Sequence, residues 1–446
     1  MNEVYKPDGE ARGFYRPLLE VLTNMGPEDF AERRERARVL LEDLGATFPL
    51  PGEDNDRVLP ADWMPRIIPR DHWEKLSAGL LQRGKAINAW ILDLYNGSQS
   101  VVPDEVIESS VFYRRDQLPA SAVPVHVYGP DVVHLQSGEY VVLEDNVRVP
   151  SGVAYSEAVR KAARAAFENT FEPYRVSRIS PYYEMLRTTL GSAAPEDVED
   201  PTIAIVTSGP GDSAYFEHRR IAERCGIRLL TLDECCIEGG EVRMRSDGTR
   251  IDVIYRRVEG GYVVADLPEL ERVHREGRVG FANALGVGVA DDKAVFAYVP
   301  AMIEHYLGEK PILNNAPTIS LADPEQRAET LDRLPELVLK PREGYGGLGV
   351  IIGPEADRET LDEARRNVEK NPEGFVAQEC LDFSMHVLDD GDGGQPGASF
   401  VDLRAFVLPA VDYVMPGGLT RVAKPGTRVV NSSSGGSFKD TWVLED

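Results

Sequence analysis

Asp131-Val-Val-His-Leu-Gln-Ser-Gly-Glu-Tyr-Val-Val-Leu-Glu-Asp-Asn146 carries two β-rich runs on either side of Ser137-Gly138, the pattern of a hairpin. A two-residue Ser137-Gly138 turn pairs Gln136 with Glu139 and, further out, Asp131 with Glu144. Directly opposed residues share one side of a sheet with Cβ atoms about 5 Å apart, and Asn146 lies two positions beyond Glu144 on that side. The spacing therefore predicts that Asp131, Glu144 and Asn146 converge. Opposed like charges destabilise a sheet, and hard oxygen ligands suit Mg²⁺, which keeps waters and bridges to phosphate. A solvated hairpin end would present the same residues, and a one-residue change of turn would break the register.

Two lysines further along have surroundings that suit phosphate. Lys340-Pro-Arg-Glu-Gly344-Tyr-Gly346-Gly347-Leu-Gly349 puts a lysine at the end of an apolar strand and four glycines in the next turn, whose backbone N–H groups can fold over phosphates. The lysine precedes the glycines, so this is not a Walker loop. Lys293 follows Asp291-Asp292 at the entrance to a helix expected to run to about Leu307, where acids cap and the lysine reaches a ligand or solvent. Near the C-terminus, alternation puts Asp402 and Arg404 on one strand face; Arg421, Lys424, Asn431 and Lys439 follow.

The first ~120 residues read as mainly helical and irregular, with prolines between Pro60 and Pro69. The best helix spans Asp71 to Tyr95, with an Asp71–Glu74 capping-box pattern, an apolar face of Trp73, Leu76, Leu80, Ile87, Ile91 and Leu94, and a stop at Asn96-Gly97. After a polar linker from about Gly191 to Asp200, strand Thr202 to Thr207, a helix to Cys225 and strand Arg228 to Leu232 make a β-α-β-like unit. Its turn, Gly209-Pro-Gly211-Asp-Ser-Ala214, fits the G-x-G-x-x-A fingerprint with Asp233 beyond, so an NAD-dependent enzyme is a rival reading. Pro210 inside the turn and the lack of a second mononucleotide half count against it.

The sequence has 446 residues, room for about three domains, with ordinary globular composition and no apolar window of membrane-spanning length. Lys plus Arg is 49 against 74 for Asp plus Glu, a net charge of −25, which disfavours nucleic acid as the main partner. No membrane partner is expected, and the location is read as cytoplasmic. The four cysteines form no zinc or redox spacing, and no histidine sits in a catalytic one.

Taken together, these residues resemble the ATP-grasp enzymes, specifically the circularly permuted type 2 ATP-grasp family. The strings that carry the resemblance are Leu143-Glu-Asp-Asn-Val-Arg-Val-Pro-Ser-Gly152, Tyr255-Arg-Arg257, Asn283-Ala-Leu-Gly-Val-Gly-Val-Ala-Asp-Asp-Lys293, Ala377-Gln-Glu379, Asp402-Leu-Arg404, Gly417-Gly-Leu-Thr-Arg-Val422, and Asn431-Ser-Ser-Ser-Gly-Gly436 with Lys439-Asp-Thr-Trp-Val443. The resemblance implies an α/β (α+β) class and a circularly permuted ATP-grasp fold with an α/β pre-ATP-grasp domain and a helical N-terminal region. The expected boundaries are a helical region over 1–120, a permuted segment with the metal hairpin over 121–190, a substrate domain over 200–290 and nucleotide-binding lobes over 291–446. It also implies that the hairpin segment completes the sheet formed by residues 400 to 446.

Carried over by resemblance, Lys293 and Lys340 hold ATP, Gly344, Gly346, Gly347 and Gly349 form the phosphate lid, and Gln378 with Glu379 flanks adenine and ribose. Asp131, Glu144 and Asn146 become Mg²⁺ ligands. Arg404, Arg421, Asn431 and Lys439 face the γ-phosphate or an acyl phosphate. The family's function implies an ATP-dependent ligase that joins a carboxylate to an amine through an acyl phosphate, with small-molecule or peptide substrates; Asp212, Ser213, Glu217, Arg256 and Arg257 are then the candidates for substrate contact. A non-catalytic nucleotide-binding or scaffold protein is the alternative, and homo-oligomerisation stays open. Arg342-Glu343 ahead of the lid glycines departs from the family pattern.

Overall fold

An eight-stranded sheet organises the chain, and its strand order brings an early hairpin against the C-terminal strands. In the computed structural model, which describes residues 2–48, 57–115, 117, 123–258, 267–344, 347–389, 397–430 and 436–445, the strands follow the order Asn314–Asn315, Tyr140–Glu144, Asp131–His134, Ala398–Arg404, Leu419–Val422, Ser437–Val443 and Ala61–Ile68, with Met385–Val387 also paired on Ala398–Arg404. The hairpin thus lies against the C-terminal strands, with Val132 opposite Leu403 and Asp131 opposite Arg404. The fold is mixed α/β, and the hairpin completes the sheet of the C-terminal strands, as expected.

The hairpin reaches its expected pairing by an unexpected route. His134 faces Tyr140, Val133 faces Val141 and Val132 faces Val142, a register one residue off the expected one, and Leu135 rather than Gln136 closes the ladder with Glu139. The loop is therefore Gln136-Ser137-Gly138, with Gly138 at φ 90°, a three-residue connection with a left-handed third position. A bulge at Leu143 then restores Asp131 opposite Glu144.

The N-terminal region corrects the sequence reading. Ala61–Ile68, expected to be irregular because of its prolines, is a mostly buried strand running parallel to Ser437–Val443. It sits at the sheet edge and its pairing shifts register around Pro65, where a missing N–H is tolerated. The long helix spans Arg70–Asn96 and buries the expected apolar face. Its capping box does not form: Pro69 is the N-cap and Glu74 pairs with Arg70 at 2.7 Å instead. Gly97, at φ 77°, ends it as expected.

Two smaller sheets complete the frame. Gly280–Ala282, Val253–Arg256, Ile203–Thr207 and Arg228–Thr231 form a parallel sheet in that order, with Tyr215–Cys225 as a crossover helix. Thr318–Ser320, Phe375–Glu379, Leu337–Pro341 and Ile351–Ile352 form an antiparallel one, covered by Leu361, Ala364 and Val368 of the helix Arg358–Lys370. The helix expected from Lys293 to Leu307 is broken into Lys293–Phe296, Val299–Met302 and a π-turn over Ile303–Leu307, with Pro300 in the second piece. No helix among the described residues is long and apolar enough to cross a membrane.

His126 is fully buried with neither ring nitrogen hydrogen-bonded to any of the described residues, and burial pushes its pKa down to about 4. An unfolded histidine titrates near 6.5, so the unfolded chain takes up this proton first and the folded state loses stability as pH falls below about 6.5. Urea unfolding at about pH 8 and about pH 5 should show His126→Phe gaining on the parent by on the order of 2 kcal/mol at the lower pH. A pH-independent difference between the two proteins would refute the neutral buried ring.

Candidate active site

Between the eight-stranded sheet and the antiparallel sheet lies an open cleft of about 1060 Å³. The hairpin contributes Asp131, Glu144 and Asn146, and the strands beside it contribute Asp402, Arg404 and Arg421. The opposite wall supplies Lys340 from the end of Leu337–Pro341, Gly344 and Gly347 from the following turn, and Gln378 and Glu379 from the central strand Phe375–Glu379. Lys293, the first residue of its helix, reaches in from the side. Leu143, Val338, Ile352, Leu381 and Phe383 make one part of the cleft apolar, a surface suited to a flat ring.

Charges in the cleft are balanced in pairs. Lys293 Nζ donates to the Gly344 carbonyl at 2.5 Å and meets Glu144 Oε1 at 3.2 Å, so the lysine bridges the glycine turn and the hairpin. Asp292 caps the same helix by accepting from Ala294 N at 2.9 Å, and the buried Arg342 guanidinium forks onto its carboxylate at 2.8 and 2.9 Å. The Arg342 departure thus ties the base of the glycine turn to the lysine helix. Asp131 is gripped by Arg404 and by Arg421, and Arg421 also pairs with Asp402. Burial drives the Asp131 carboxyl up, but the two guanidiniums outweigh it and hold it at about 2. Arg421 Nη1 has no partner among the described residues, leaving a donor for an anion.

Hard oxygen donors and cations facing one cleft suit a magnesium-bound polyphosphate. Glu144 offers a carboxylate, and Asn146 has a buried Nδ2 atom with no hydrogen-bond partner among the described residues. Turning the amide places an oxygen there instead, a ligand that hard divalent cations accept. Asp131 is less open, because both oxygens already meet guanidinium groups. Among the described residues, no three His, Cys, Asp or Glu side chains gather as a metal cluster, so beside Glu144 such an ion would rely on Asn146, water and phosphate oxygens.

Other expected site residues lie elsewhere. Lys439 pairs with Thr420, the neighbour of Arg421, so alternation sends it to the opposite sheet face. There it is buried against Asp62 and the carbonyls of Met64 and Val387, away from the cleft. Gly349 does not line the cleft; its φ of 74° and an added Cβ only 2.9 Å from Pro341 Cγ fit it to the turn itself. Gly346 and Asn431 lie outside the described residues. Asp402 and Arg428 line the cleft without having been assigned a role; alternation with Arg404 signals the first, and nothing in the sequence signals the second.

The residues expected to contact substrate cluster at the parallel sheet. From Ile203–Thr207 the chain moves to Arg228–Thr231 on one side and later to Val253–Arg256 on the other, so a topological switch point lies between Thr207 and Arg256. Asp212 and Ser213 sit in the turn there, with Asp212 accepting from Ala214 N at 2.8 Å and from Ser208 Oγ. Glu217, Arg256 and Arg257 are buried and engaged with protein. Glu217 accepts from Gly152 N at 2.8 Å and Ala154 N at 3.0 Å at the start of the helix Val153–Ala166, while Arg257 donates to the Pro150 carbonyl at 2.8 Å and to Ser151 Oγ. Arg256 donates to the Val258 carbonyl at 2.9 Å. Glu217 and Arg257 thereby fix the hairpin exit against the parallel sheet.

Comparison with known proteins gives concordant results. The family model described as circularly permuted ATP-grasp type 2 matches residues 65–423. A Frankia casuarinae protein provisionally named glutamate–cysteine ligase 2-2 is 39% identical over 99% of this chain, which spans only 53% of that protein's length. An uncharacterised Synechocystis sp. protein is 37% identical over 100% of the chain and 97% of its own length. Among solved structures, a glutathione synthetase-like effector from Globodera pallida in apo form superposes with a TM-score of 0.58 at 12% identity, over 94% of this chain and 98% of that one, a likeness of fold.

Lys340 is the sensitive reporter of this site. Burial pushes its ammonium down to about 8, Glu144 opposes that shift and Lys293 adds to it. Competitive acetylation of Lys340 across pH should give a midpoint near 8, moved lower by Glu144→Gln and higher by Lys293→Met. Identical midpoints in all three proteins would mean that these groups do not share a cleft.

Proposed function

The chain belongs to the circularly permuted ATP-grasp type 2 family, and on that premise we propose that it is an ATP-dependent ligase that joins a carboxylate to an amine. The observation that carries the reading is the convergence of Lys293, Lys340, Glu144, Asn146, Arg404 and Arg421 on one cleft from segments far apart in sequence. Among the described residues, no serine or cysteine in the cleft is presented by a neighbouring base, which suits chemistry that proceeds by positioning and charge stabilisation.

In this reading the apolar end of the cleft takes adenine beside Gln378 and Glu379, and Lys293, Lys340 and the glycine turn hold the phosphates. Glu144 and Asn146, with Asp131 behind them, would hold Mg²⁺, which when bound neutralises phosphate charge. Lys340, poised near 8, takes up a proton when a polyphosphate arrives, so nucleotide affinity declines as pH rises above about 8. Arg404 and Arg421, aligned by Asp131 and Asp402, orient the substrate carboxylate. One of its oxygens attacks the γ-phosphorus, the bond to the β-phosphate bridging oxygen breaks, and ADP departs. An amine then attacks the acyl carbon, phosphate leaves with the C–O electron pair, and the amine proton passes to solvent.

The acceptor side is read from Ser151. Its carbonyl accepts from Arg404 Nη1 at 3.4 Å and its hydroxyl accepts from Arg257, so one residue joins the arginine pair to the parallel sheet. Asp212 and Ser213, at the switch point of that sheet, are the groups left for an amine to meet. The name of the Frankia relative, a glutamate–cysteine ligase, belongs to the same reaction class.

A phosphate-release screen of amino acids, peptides and polyamines with Mg-ATP should reveal stimulated turnover. Hydroxylamine should trap the activated carboxylate, and Glu144→Ala and Lys340→Ala should each lower the rate by about 100-fold or more. Unchanged release in both variants would refute the site, and ATP binding without turnover for every acceptor would favour a scaffold.

A further inference from the structure

We propose that Arg83 is a positioning residue for the nucleotide site: it holds the metal-ligand end of the hairpin in register with the helix that starts at Lys293. The inference rests on the roles given above to Glu144, Asn146 and Lys293.

Arg83 lies in the middle of the helix Arg70–Asn96, and its side chain is 0% exposed. On a helix face otherwise built from Trp73, Leu76, Leu80, Ile87 and Ile91, an apolar residue would satisfy packing alone. Its guanidinium instead contacts four residues from separate pieces of chain, Tyr128, Asp145, Asn315 and Phe296, with Nε 3.3 Å from the Tyr128 hydroxyl. Nη2 donates to Asp145 Oδ2 at 2.6 Å and Nε reaches Asp145 Oδ1 at 3.3 Å, the fork geometry that only arginine provides. Nη1 donates to Asn315 Oδ1 at 2.5 Å, in the edge strand next to Tyr140–Glu144. The guanidinium carbon lies 5.5 Å from the centroid of the Phe296 ring, and Asn315 in turn donates to the Phe296 carbonyl at 2.6 Å. Phe296 is the last residue of the short helix that begins with Lys293.

Asp145 is the link that turns these contacts into site geometry. It stands between Glu144 and Asn146, so when its side chain is anchored on the core side its two neighbours point into the cleft. Tyr128 donates its hydroxyl to Asp145 Oδ1 and completes the cage. A second contact acts on the same junction: Asp291 accepts from Val147 N at 2.5 Å and from Arg148 Nε at 2.6 Å. The hairpin exit is therefore clamped to the lysine helix on both sides, with Arg83 as the buried half. A buried charge costs desolvation, and an apolar pair of similar volume often packs as well, so the ion pair supplies direction rather than stability.

The test compares Arg83→Lys, the double variant Arg83→Met/Asp145→Leu and a control, Ile91→Ala, which opens the same core without touching the hairpin. For each, melting temperature is recorded, and ADP affinity is measured by calorimetry with and without Mg²⁺. In Arg83→Lys and in the double variant, ADP affinity without metal should stay within about twofold of the parent while the gain conferred by Mg²⁺ falls at least tenfold. Ile91→Ala should melt earlier and keep the full Mg²⁺ gain. A folded Arg83→Lys or double variant with the parent's Mg²⁺ gain would overturn the proposal, as would an Ile91→Ala protein that loses the gain in proportion to its melting temperature. A parent that binds no ADP under either condition would instead overturn the nucleotide reading, and this proposal with it.

Discussion

The antiparallel pairing of Asp131–His134 with Ala398–Arg404 is the constraint on which the site depends. It joins residues 273 positions apart, and its terminal pair places Asp131 directly against Arg404. The elements around the cleft are fixed with respect to that seam: the hairpin partner with Glu144 on one side, the Arg421 strand on the other, Lys293 through its contact with Glu144, and the strand Phe375–Glu379 through Gln378 Nε2, which donates to the Leu143 carbonyl. Without it the acidic hairpin end and the basic strands would each face solvent, and the paired charges would lose the low-dielectric surroundings that make their alignment matter.

Local sequence revealed much of the site because strand alternation and glycine chemistry act over a few residues. Asp131 and Glu144 were legible as opposed residues, although by compensation: the loop is one residue longer than Ser137-Gly138 suggests, and the bulge at Leu143 absorbs the difference. Asp402 and Arg404 share a face for the plain reason of period two. Lys439 shows where such reading stops. Its neighbours give no sign of which sheet face it takes, and that face is decided by pairing with Thr420 and by the distant Asp62.

Tertiary context decided the remaining differences. Ala61–Ile68 holds Pro65 and is bounded by Pro60 and Pro69, a local argument against a strand; the sheet edge tolerates it because the pairing is irregular at that point. Asp71 and Glu74 have capping-box spacing, yet Arg70 takes Glu74 and Pro69 begins the helix. Arg83 sits in an amphipathic helix where one basic residue gives no periodic signal, and its meaning emerges only when Asp145 and Asn315 are brought to it. Glu217 and Arg257 are substrate candidates by resemblance alone; in the fold both are buried, and they hold the hairpin exit in place.

The strand order also has a consequence for synthesis. During translation the acidic ribbon emerges before both of its neighbours in the sheet: Asn314–Asn315 follows only after the parallel sheet has been made, and Ala398–Arg404 later still. The ribbon's exposed backbone edge must therefore wait through that interval, when unpaired strand edges are prone to associate with other chains. Assembly of the central sheet is accordingly a late, non-local event, and the nascent molecule gains its cleft only when the Arg404 and Arg421 strands dock.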